Sequence, residues 1–343
     1  MRSRRFKWVV LVVAVVAAGC SSDASPPQAA GEGGAGGSNA GAGPPPACID
    51  GTAAQGAMID RPAVALKIEN SREARPQSGL EQADVVYEEV VEGGITRFMA
   101  LYHCGQSAKA GPVRSARFDD AKIALPFTRV LAYSGSNAFV EKELNKRSMV
   151  SLTELNAGDA FFRVPAGSAD IHSLYANTEK IRSQAPDKAD APGDGVFEFG
   201  ELHEGASDAR KVTINFHSSN TIEYRWGEGA WWRFEAGEKF VSASGAQISV
   251  PNLLVQQVDV DNSKKIVDPA GNPSPDIDLT GKGKALLFRD GHVTKGVWKV
   301  KKEGDAPTFE TRSGKSFTFA EGPIWVELVP SRKGQVKGSF SYR

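Results

Sequence analysis

The sequence predicts an α+β protein in which an N-terminal α/β sandwich, with a mixed sheet and a central hairpin, precedes a mostly-β C-terminal domain. Between residues 60 and 150, strand-like runs alternate with loops and helix-like runs, and two strand-like runs flank a Gly-Gly pair. Beyond residue 190, short β-type runs follow one another with Gly, Asn and Asp between them. The first pattern is typical of α/β layers and the second of an all-β domain.

The first twenty residues have the composition of a secretion signal. Basic residues precede an apolar run of eleven residues, Trp8–Ala18, which is too short to cross a hydrocarbon core of about 30 Å as a helix. Small residues then precede Cys20, as in bacterial lipoproteins, where the cysteine is lipidated and becomes the mature N-terminus. An ordinary signal peptide with a chance cysteine is the alternative. We therefore predict a lipoprotein signal peptide over residues 1–20 and an extracytoplasmic protein held to the membrane by a lipid on Cys20.

The segment that follows has the composition of a flexible tether. Residues 21–47 are almost all Gly, Ala, Pro, Ser, Asn and Gln, so they have little apolar surface to bury and we predict them to be disordered. The composition changes again at the Pro- and Gly-containing stretch 191–195. We therefore predict an N-terminal domain over residues 48–190 and a C-terminal domain over residues 191–343.

Charge and cysteine content restrict the function further. The 41 Lys and Arg residues balance the 41 Asp and Glu residues, so the chain lacks the overall positive charge typical of nucleic-acid binding, and we predict no nucleic-acid partner. With Cys20 in the anchor, Cys48 and Cys104 remain, and an even pair in an exported protein predicts a disulfide. The sequence has no closely spaced Cys or His pair, and we predict no metal site.

The elements of each domain follow from periodicity and from the turn residues between them. In the N-terminal domain we predict strands at residues 62–69, 83–92 and 95–104, a helix from Ser115, a strand at 128–133 and a helix at 138–146. In the C-terminal domain we predict strands at residues 211–216, 221–226, 231–234, 253–260, 285–289, 292–300 and 324–328. Gly93-Gly94 between two strands is typical of a two-residue hairpin loop.

The predicted hairpin would carry a row of charges. A two-residue loop pairs Glu92 with Ile95, and because side chains alternate between faces, five polar residues then share one face: Asp84, Glu88, Glu92, Arg97 and His103. Strand faces inside α/β layers are normally apolar, so the row suggests a binding face. A solvent-facing hairpin with weak surface ion pairs is the alternative.

A second group of candidates follows the hairpin. Arg114 and Arg117 flank Ser115, which we predict to be the N-cap of a helix. Helix N-termini attract anions through their free N–H groups, and guanidinium groups bind phosphate and carboxylate. The segment therefore suggests an anion site, with pairing to nearby carboxylates as the alternative. His172 either lines the same cleft or is structural.

Four stretches, residues 75–80, 83–88, 92–97 and 111–117, resemble the YerB-like lipoprotein family. The resemblance extends over residues 60–330 and is looser in the C-terminal half. Residues 171–175 read Ile-His-Ser-Leu-Tyr where the family pattern has Pro-His-Asn-Leu-Tyr, so His172 and Tyr175 are kept. The two domains of that family are of unknown function, and the resemblance therefore implies export and the domain division but no activity.

These observations favour a lipid-anchored cell-envelope protein that binds an anionic envelope ligand, a glycan or a lipid phosphate. The predicted ligand-binding residues are Arg75, Asp84, Glu88, Glu92, Arg97, Arg114, Ser115, Arg117 and His172. The sequence contains none of the common catalytic motifs, so whether the protein is an enzyme stays open. Two alternatives are a phosphotransferase-like enzyme acting on a lipid-linked cell-wall polymer, with Mg²⁺ as cofactor, and a scaffold for another envelope protein.

Overall fold

The structure is a computed structural model that describes residues 47–343 except 55–57, 59, 186–191, 193–194, 218–219 and 269–270. The predicted signal peptide, Cys20 and residues 21–46 of the predicted tether lie outside the described residues, as does the predicted domain boundary at residues 190 and 191. Within the described ranges, no helix has the length and apolar character needed to cross a membrane.

The N-terminal part combines strands with short helices. Its elements are β1 (Val64–Glu69), β2 (Val85–Val90), β3 (Thr96–Tyr102), α1 (Asp120–Ala124), β4 (Val130–Ala132), α2 (Ala138–Lys146), β5 (Val150–Leu152), β6 (Phe161–Arg163), β7 (Leu174–Ala176) and α3 (Thr178–Ser183). Helix α2 has the predicted bounds, because the Asn137 side chain caps it by accepting a hydrogen bond from the Val140 N–H.

The C-terminal part is β-rich. Its strands are β8 (Glu198–Phe199), β9 (Ser207–Asp208), β10 (Lys211–His217), β11 (Asn220–Gly227), β12 (Ala230–Glu235), β13 (Glu238–Lys239), β14 (Ser249–Val250), β15 (Asn252–Val267), β16 (Pro273–Asp278), β17 (Gly281–Arg289), β18 (His292–Val300), β19 (Thr308–Thr311), β20 (Thr318–Phe319), β21 (Ile324–Pro330) and β22 (Ser339–Tyr342). The predicted fold class, an α/β N-terminal part followed by a mostly-β part, is confirmed.

A large mixed sheet forms the centre of the molecule. Its strand order is β19-β18-β17-β15-β21-β2-β3-β1-β4-β5, so the predicted β2–β3 hairpin is central. Strand β2 is antiparallel to β3 but parallel to β21, and β1 is parallel to β4. Strands from both ends of the chain therefore complete one sheet.

A second sheet, in the order β13-β12-β11-β10-β22, packs on one face of the large sheet. Phe98 of β3 contacts Phe240 and Trp325, with ring centroids 6.0 and 5.3 Å apart. Trp231 of β12 lies edge-on to Phe288 of β17 at 5.6 Å. These rings fill the space between the two sheets, which makes the face of the hairpin toward the second sheet an interior surface.

One predicted element begins in a different place. The helix expected from Ser115 starts only at Asp120 and has five residues, so Ser115 is not its N-cap. The preceding segment is extended instead, because the Arg114 N–H donates to the Lys67 carbonyl at 2.9 Å and the Ala116 N–H to the Gly135 carbonyl at 3.0 Å. These long-range backbone bonds replace the first helical turn.

Candidate functional site

The hairpin register decides which charged side chains meet. Glu89 is paired with Arg97 and Glu88 with Phe98, a shift of one residue from the predicted pairing. The cause is the turn, which includes Glu92 with Gly93 and Gly94 in a short 3-10 segment. Both glycines have positive φ, 72° and 75°, and the longer turn moves every partner by one position.

Because of this shift in register, the predicted row of charged residues on one face of the hairpin is wrong. A slip of one residue moves side chains to the opposite face, so Glu88 and Arg97 lie on opposite sides of the sheet. Asp84, Glu88, Glu92, Arg97 and His103 therefore do not form one row. The structure has two polar clusters in its place, one on each face of the hairpin.

The first cluster, here called the edge cluster, consists of Glu69, Glu92, Arg97, Arg114 and Arg117. Glu69 lies opposite Arg97 in the β1–β3 pairing and connects two of the arginines. Its Oε2 accepts a hydrogen bond from the Arg114 Nε at 2.6 Å and lies 3.3 Å from the Arg97 Nε. Its Oε1 accepts from the Asn70 and Ser71 N–H groups at 3.0 and 3.1 Å.

Arg117 and Glu92 form the other half of the edge cluster. The Arg117 Nε donates to Glu92 at 2.8 Å and its Nη2 at 2.5 Å, while Ser274 donates its hydroxyl to the same carboxylate. Ser115 takes part through its carbonyl, which accepts from the Arg97 Nη1 at 3.1 Å and from the Arg117 Nη1 at 3.2 Å. Arg117 is therefore fixed within the protein.

Two further carboxylates and a lysine lie beneath the edge cluster. Lys67 is fully buried, contacts Glu89 and lies 2.6 Å from the Asp120 Oδ1. Burial lowers the pKa of Lys67, although Asp120 opposes this effect. Together with the edge cluster these residues give four cations and four carboxylates, so the region as a whole is balanced.

The arginines of the edge cluster nevertheless repel one another. Burial, Arg117 and Arg114 lower the pKa of Arg97 to about 10, against the attraction of Glu69. Burial acts to raise the pKa of Glu69, but Arg97 and Arg114 hold it below its ordinary value. Considered alone, the edge cluster has three guanidinium groups for two carboxylates.

The edge cluster lies at the carboxyl ends of parallel strands. Glu69 ends β1, and the Ser134 N–H, just beyond β4, donates to the Arg114 carbonyl at 3.0 Å. In open α/β sheets, ligands bind outside the carboxyl ends of the strands. The Arg114 side chain is 23% exposed and uses its Nε for Glu69, whereas its Nη1 and Nη2 have no acceptor among the described residues. Arg114 therefore presents the open edge of a guanidinium group at this position.

His172 lies beside the edge cluster. Its Nε2 is 3.4 Å from the Ser71 Oγ, and the Ser71 N–H donates to Glu69. The Asp170 carboxylate lies 3.7 Å from the His172 Nδ1. The structure therefore brings Glu92, Arg97, Arg114, Ser115, Arg117 and His172 of the predicted site residues into one region.

The second cluster, here called the core cluster, consists of Glu88, Tyr224, Arg233, Glu235 and Glu327. Arg233 lies at its centre, and its Nη1 is 2.8 Å from Glu88 and 3.1 Å from Glu327. Its Nη2 is 3.1 Å from Glu235, and the Tyr224 hydroxyl donates to Glu327 at 2.5 Å. Glu88 and Glu327 are neighbours on paired strands and have no exposed side-chain surface.

Carboxylates are in excess in the core cluster. Arg75, predicted as a site residue, pairs with Glu235, which gives two guanidinium groups for three carboxylates. Burial raises the pKa of Glu88, and burial together with Glu88 raises that of Glu327 well above its ordinary value. Burial and the closeness of the two carboxyl groups therefore both favour the protonated form of Glu327. The cluster joins the two sheets.

Asp84 belongs to neither cluster. It accepts hydrogen bonds from the His103 and Gly105 N–H groups at 2.6 and 3.0 Å. These residues flank Cys104, and the predicted Cys48–Cys104 disulfide is present, with Cα atoms 5.8 Å apart. Burial and the nearby Asp50 raise the pKa of Asp84 to about 6. Its contacts hold the chain on both sides of the disulfide.

Residues absent from the sequence prediction complete both clusters. Glu69 and Lys67 had a usable signal, because these two charged residues alternate with the apolar residues of β1. Arg233 and Glu327 had none, since they lie 94 residues apart in sequence. Among the described residues, no group of three or more His, Cys, Asp or Glu side chains has a metal-binding arrangement.

Two protein-family models match this chain. The model for the N-terminal domain of a protein of unknown function, DUF3048, matches residues 51–191, and the model for the C-terminal domain matches residues 212–326. The chain belongs to the DUF3048 family. This confirms the resemblance found in the sequence.

A relative and a solved structure extend this finding. The chain is 26% identical over 294 residues, 83% of its length and 86% of the relative's, to a Bacillus subtilis (strain 168) protein named "Putative lipoprotein YerB". The crystal structure of YerB from Bacillus subtilis is similar with a TM-score of 0.69 and 26% identity, covering 85% of this chain and 97% of that one. The likeness to this DUF3048 relative therefore includes both parts of the fold.

The edge cluster and the core cluster are distributed differently over the two DUF3048 family models. The whole edge cluster lies within the N-terminal model, residues 51–191. The core cluster takes Glu88 from that model and Arg233 from the C-terminal one, while Glu327 follows directly after residue 326. The core cluster thus takes its members from both halves of the chain, whereas the members of the edge cluster all come from one.

Proposed function

We propose that this DUF3048 chain is a lipid-anchored, extracytoplasmic protein of the cell envelope that binds an anionic ligand through the edge cluster. The sequence up to Cys20 and the name of the Bacillus relative support the anchor. The observation that carries the ligand proposal is Arg114, whose outer guanidinium edge has no acceptor among the described residues at the carboxyl end of β1.

The chemistry of the edge cluster favours a phosphate or carboxylate group. Glu69 holds the Arg114 Nε, so the Nη1 and Nη2 groups are oriented toward solvent with little rotamer freedom left. A planar guanidinium held in this way suits bidentate binding of an anion. Arg97 adds positive potential from beneath, and His172 and Ser71 add donors at the side.

A thermal-shift screen of the purified protein tests this proposal. The probes are inorganic phosphate, pyrophosphate, a polyprenyl pyrophosphate analogue and soluble cell-wall fragments, each with and without Mg²⁺. A ligand at 100 times its Kd stabilises a protein by about 2.7 kcal/mol. We expect a rise in Tm that is lost in Arg114→Gln and kept in Arg225→Gln, a control that removes an exposed arginine paired with Glu223.

The outcomes separate the alternatives. If the ligand raises Tm equally in Arg114→Gln and Arg225→Gln, the ligand does not bind at the edge cluster. A rise that requires Mg²⁺ would favour the phosphotransferase-like enzyme, and assays of polymer transfer would follow. No rise with any anion, together with crosslinking to another envelope protein, would favour the scaffold.

A further inference from the structure

A second concentration of positive charge lies at the other end of the large sheet. An open groove of about 720 Å³ runs across β17, β18 and the end of β19. Its polar lining includes Lys284, Thr294, Lys295, Thr311, Arg312 and Ser313. No Asp or Glu is among the described residues that line it.

The groove exists because one edge of β18 is only partly covered. Strand β17 pairs along the whole of one edge of β18. On the other edge, β9 pairs with residues 292–293 and β19 with residues 296–299. Thr294 and Lys295 therefore lie at the gap between β9 and β19, and Arg312 follows directly after β19.

The three cations of the groove are not neutralised. In the described part of the chain, Lys284, Lys295 and Arg312 form no ion pair with a carboxylate. The Lys284 Nζ lies 4.9 Å from the ring centre of Phe340, and the Lys295 Nζ 5.4 Å from that of Tyr342. Cation–π contacts of this kind position an ammonium group without removing its charge. The edge cluster differs, since its arginines all contact glutamates.

The size and chemistry of the groove indicate the class of ligand. Lysine is a compact point charge without the directional fork of arginine. The groove should therefore favour ligands with a high density of negative charge over ligands of one particular shape. Its volume of about 720 Å³ exceeds what a single phosphate needs. We propose that the groove binds an extended polyanion, a linear chain of phosphate groups, whose successive charges meet Lys284, Lys295 and Arg312.

This site is distinct from the edge cluster. Strands β18 and β1 are six positions apart in the sheet, which corresponds to about 29 Å at the usual strand spacing. The proposal therefore goes beyond the proposed function and does not depend on it.

Binding of end-labelled linear inorganic polyphosphate to the purified protein tests the proposal by fluorescence anisotropy over a range of salt concentrations. The test variant is Lys284→Gln/Lys295→Gln/Arg312→Gln. The matched control, Lys142→Gln/Lys146→Gln/Lys302→Gln, removes three exposed cations that lie outside the groove. All six side chains are exposed, and thermal unfolding of each variant checks that the fold is kept.

We expect the groove variant to raise the Kd at least tenfold and the control variant less than twofold. The slope of log affinity against log salt should fall by about one for each phosphate-contacting cation removed. Arg225→Gln, which lies outside both the groove and the edge cluster, should leave polyphosphate binding unchanged. Equal losses in the groove and control variants, absence of binding at low salt, or displacement by orthophosphate at equal phosphate concentration would each overturn the proposal.

Discussion

The edge cluster and the core cluster lie on opposite faces of the same hairpin and both combine arginines with glutamates, yet their surroundings differ. Arg233 and Glu327 of the core cluster have no exposed side-chain surface, whereas Arg114 of the edge cluster is 23% exposed. The core cluster has a carboxylate in excess, whereas the edge cluster has a guanidinium in excess. Burial beneath the second sheet, rather than residue type, therefore distinguishes the structural cluster from the candidate binding site.

The two clusters also differ in what their loss should do. Charges taken out of water are costly unless every partner is present, so the core cluster is sensitive to removal of any member. In the edge cluster, water reaches the partly exposed Arg114, so the cost of removing that side chain is smaller. Stability measurements on matched variants therefore test the contrast directly.

The largest expected effect is at Arg233. Arg233→Met removes the central guanidinium and leaves Glu88, Glu235 and Glu327 buried without it. Breaking a buried ion pair from one side costs about 3–5 kcal/mol, and we expect a loss of this size or failure to fold, measured by urea unfolding. A loss below about 1 kcal/mol, similar to that of a surface pair, would contradict the distinction between the clusters.

The next largest expected effect is on the pH dependence of stability, through Glu327. Burial and Glu88 raise the pKa of Glu327 above the ordinary value of 4.5. A carboxyl group with a raised pKa stabilises the fold below its ordinary pKa, and this contribution is lost as the pH rises through the folded-state pKa. Gln stays neutral, so the stability of Glu327→Gln relative to wild type should increase as the pH rises above 4.5. Each tenfold change in the proton affinity of Glu327 on folding corresponds to about 1.4 kcal/mol.

Unfolding curves between about pH 4 and pH 9 measure this difference, since that interval covers the ordinary and the raised pKa of a buried glutamate. Glu238→Gln serves as the control, because Glu238 is an exposed residue of the second sheet. Parallel pH profiles for wild type and Glu327→Gln would show that folding does not raise the pKa of Glu327.

The smallest effects distinguish two arginines of the edge cluster. Arg117→Gln leaves Glu92 buried without its main partner, and we expect a loss of about 1–3 kcal/mol. Arg114→Gln leaves Glu69 with Arg97 and two backbone donors, and we expect a loss below about 1 kcal/mol. Denaturant midpoints measure both, and a larger loss at Arg114 than at Arg117 would make Arg114 a structural residue.

Much of the local structure could be predicted from the sequence. Helix α2 has the predicted bounds, and β18 occupies residues 292–300 as predicted. The disulfide followed from the even pair of remaining cysteines. These features depend on periodicity, caps and counting, all of which act within a few residues or on composition alone.

The candidate site could be predicted only in part. Six of its residues come together in one region with Glu69, which is not among the site residues predicted from the sequence, but Arg75 and Glu88 belong to the core cluster and Asp84 to the disulfide region. The longer turn at Gly93 caused the separation of Glu88 from Arg97. The basic groove gave no sequence signal, because its three cations lie on or beside three strands with ordinary patterns.

Many elements, the fold class and the pairing of Cys48 with Cys104 could therefore be predicted from the amino-acid sequence. The face that each charged side chain occupies could not, because it depends on long-range strand pairing. A strand alternates its side chains with period two, but its register and its partner strand are set by distant segments. Strand β21 pairs with β2 although the two lie at opposite ends of the described chain, and that pairing places Glu327 opposite Glu88 in the core.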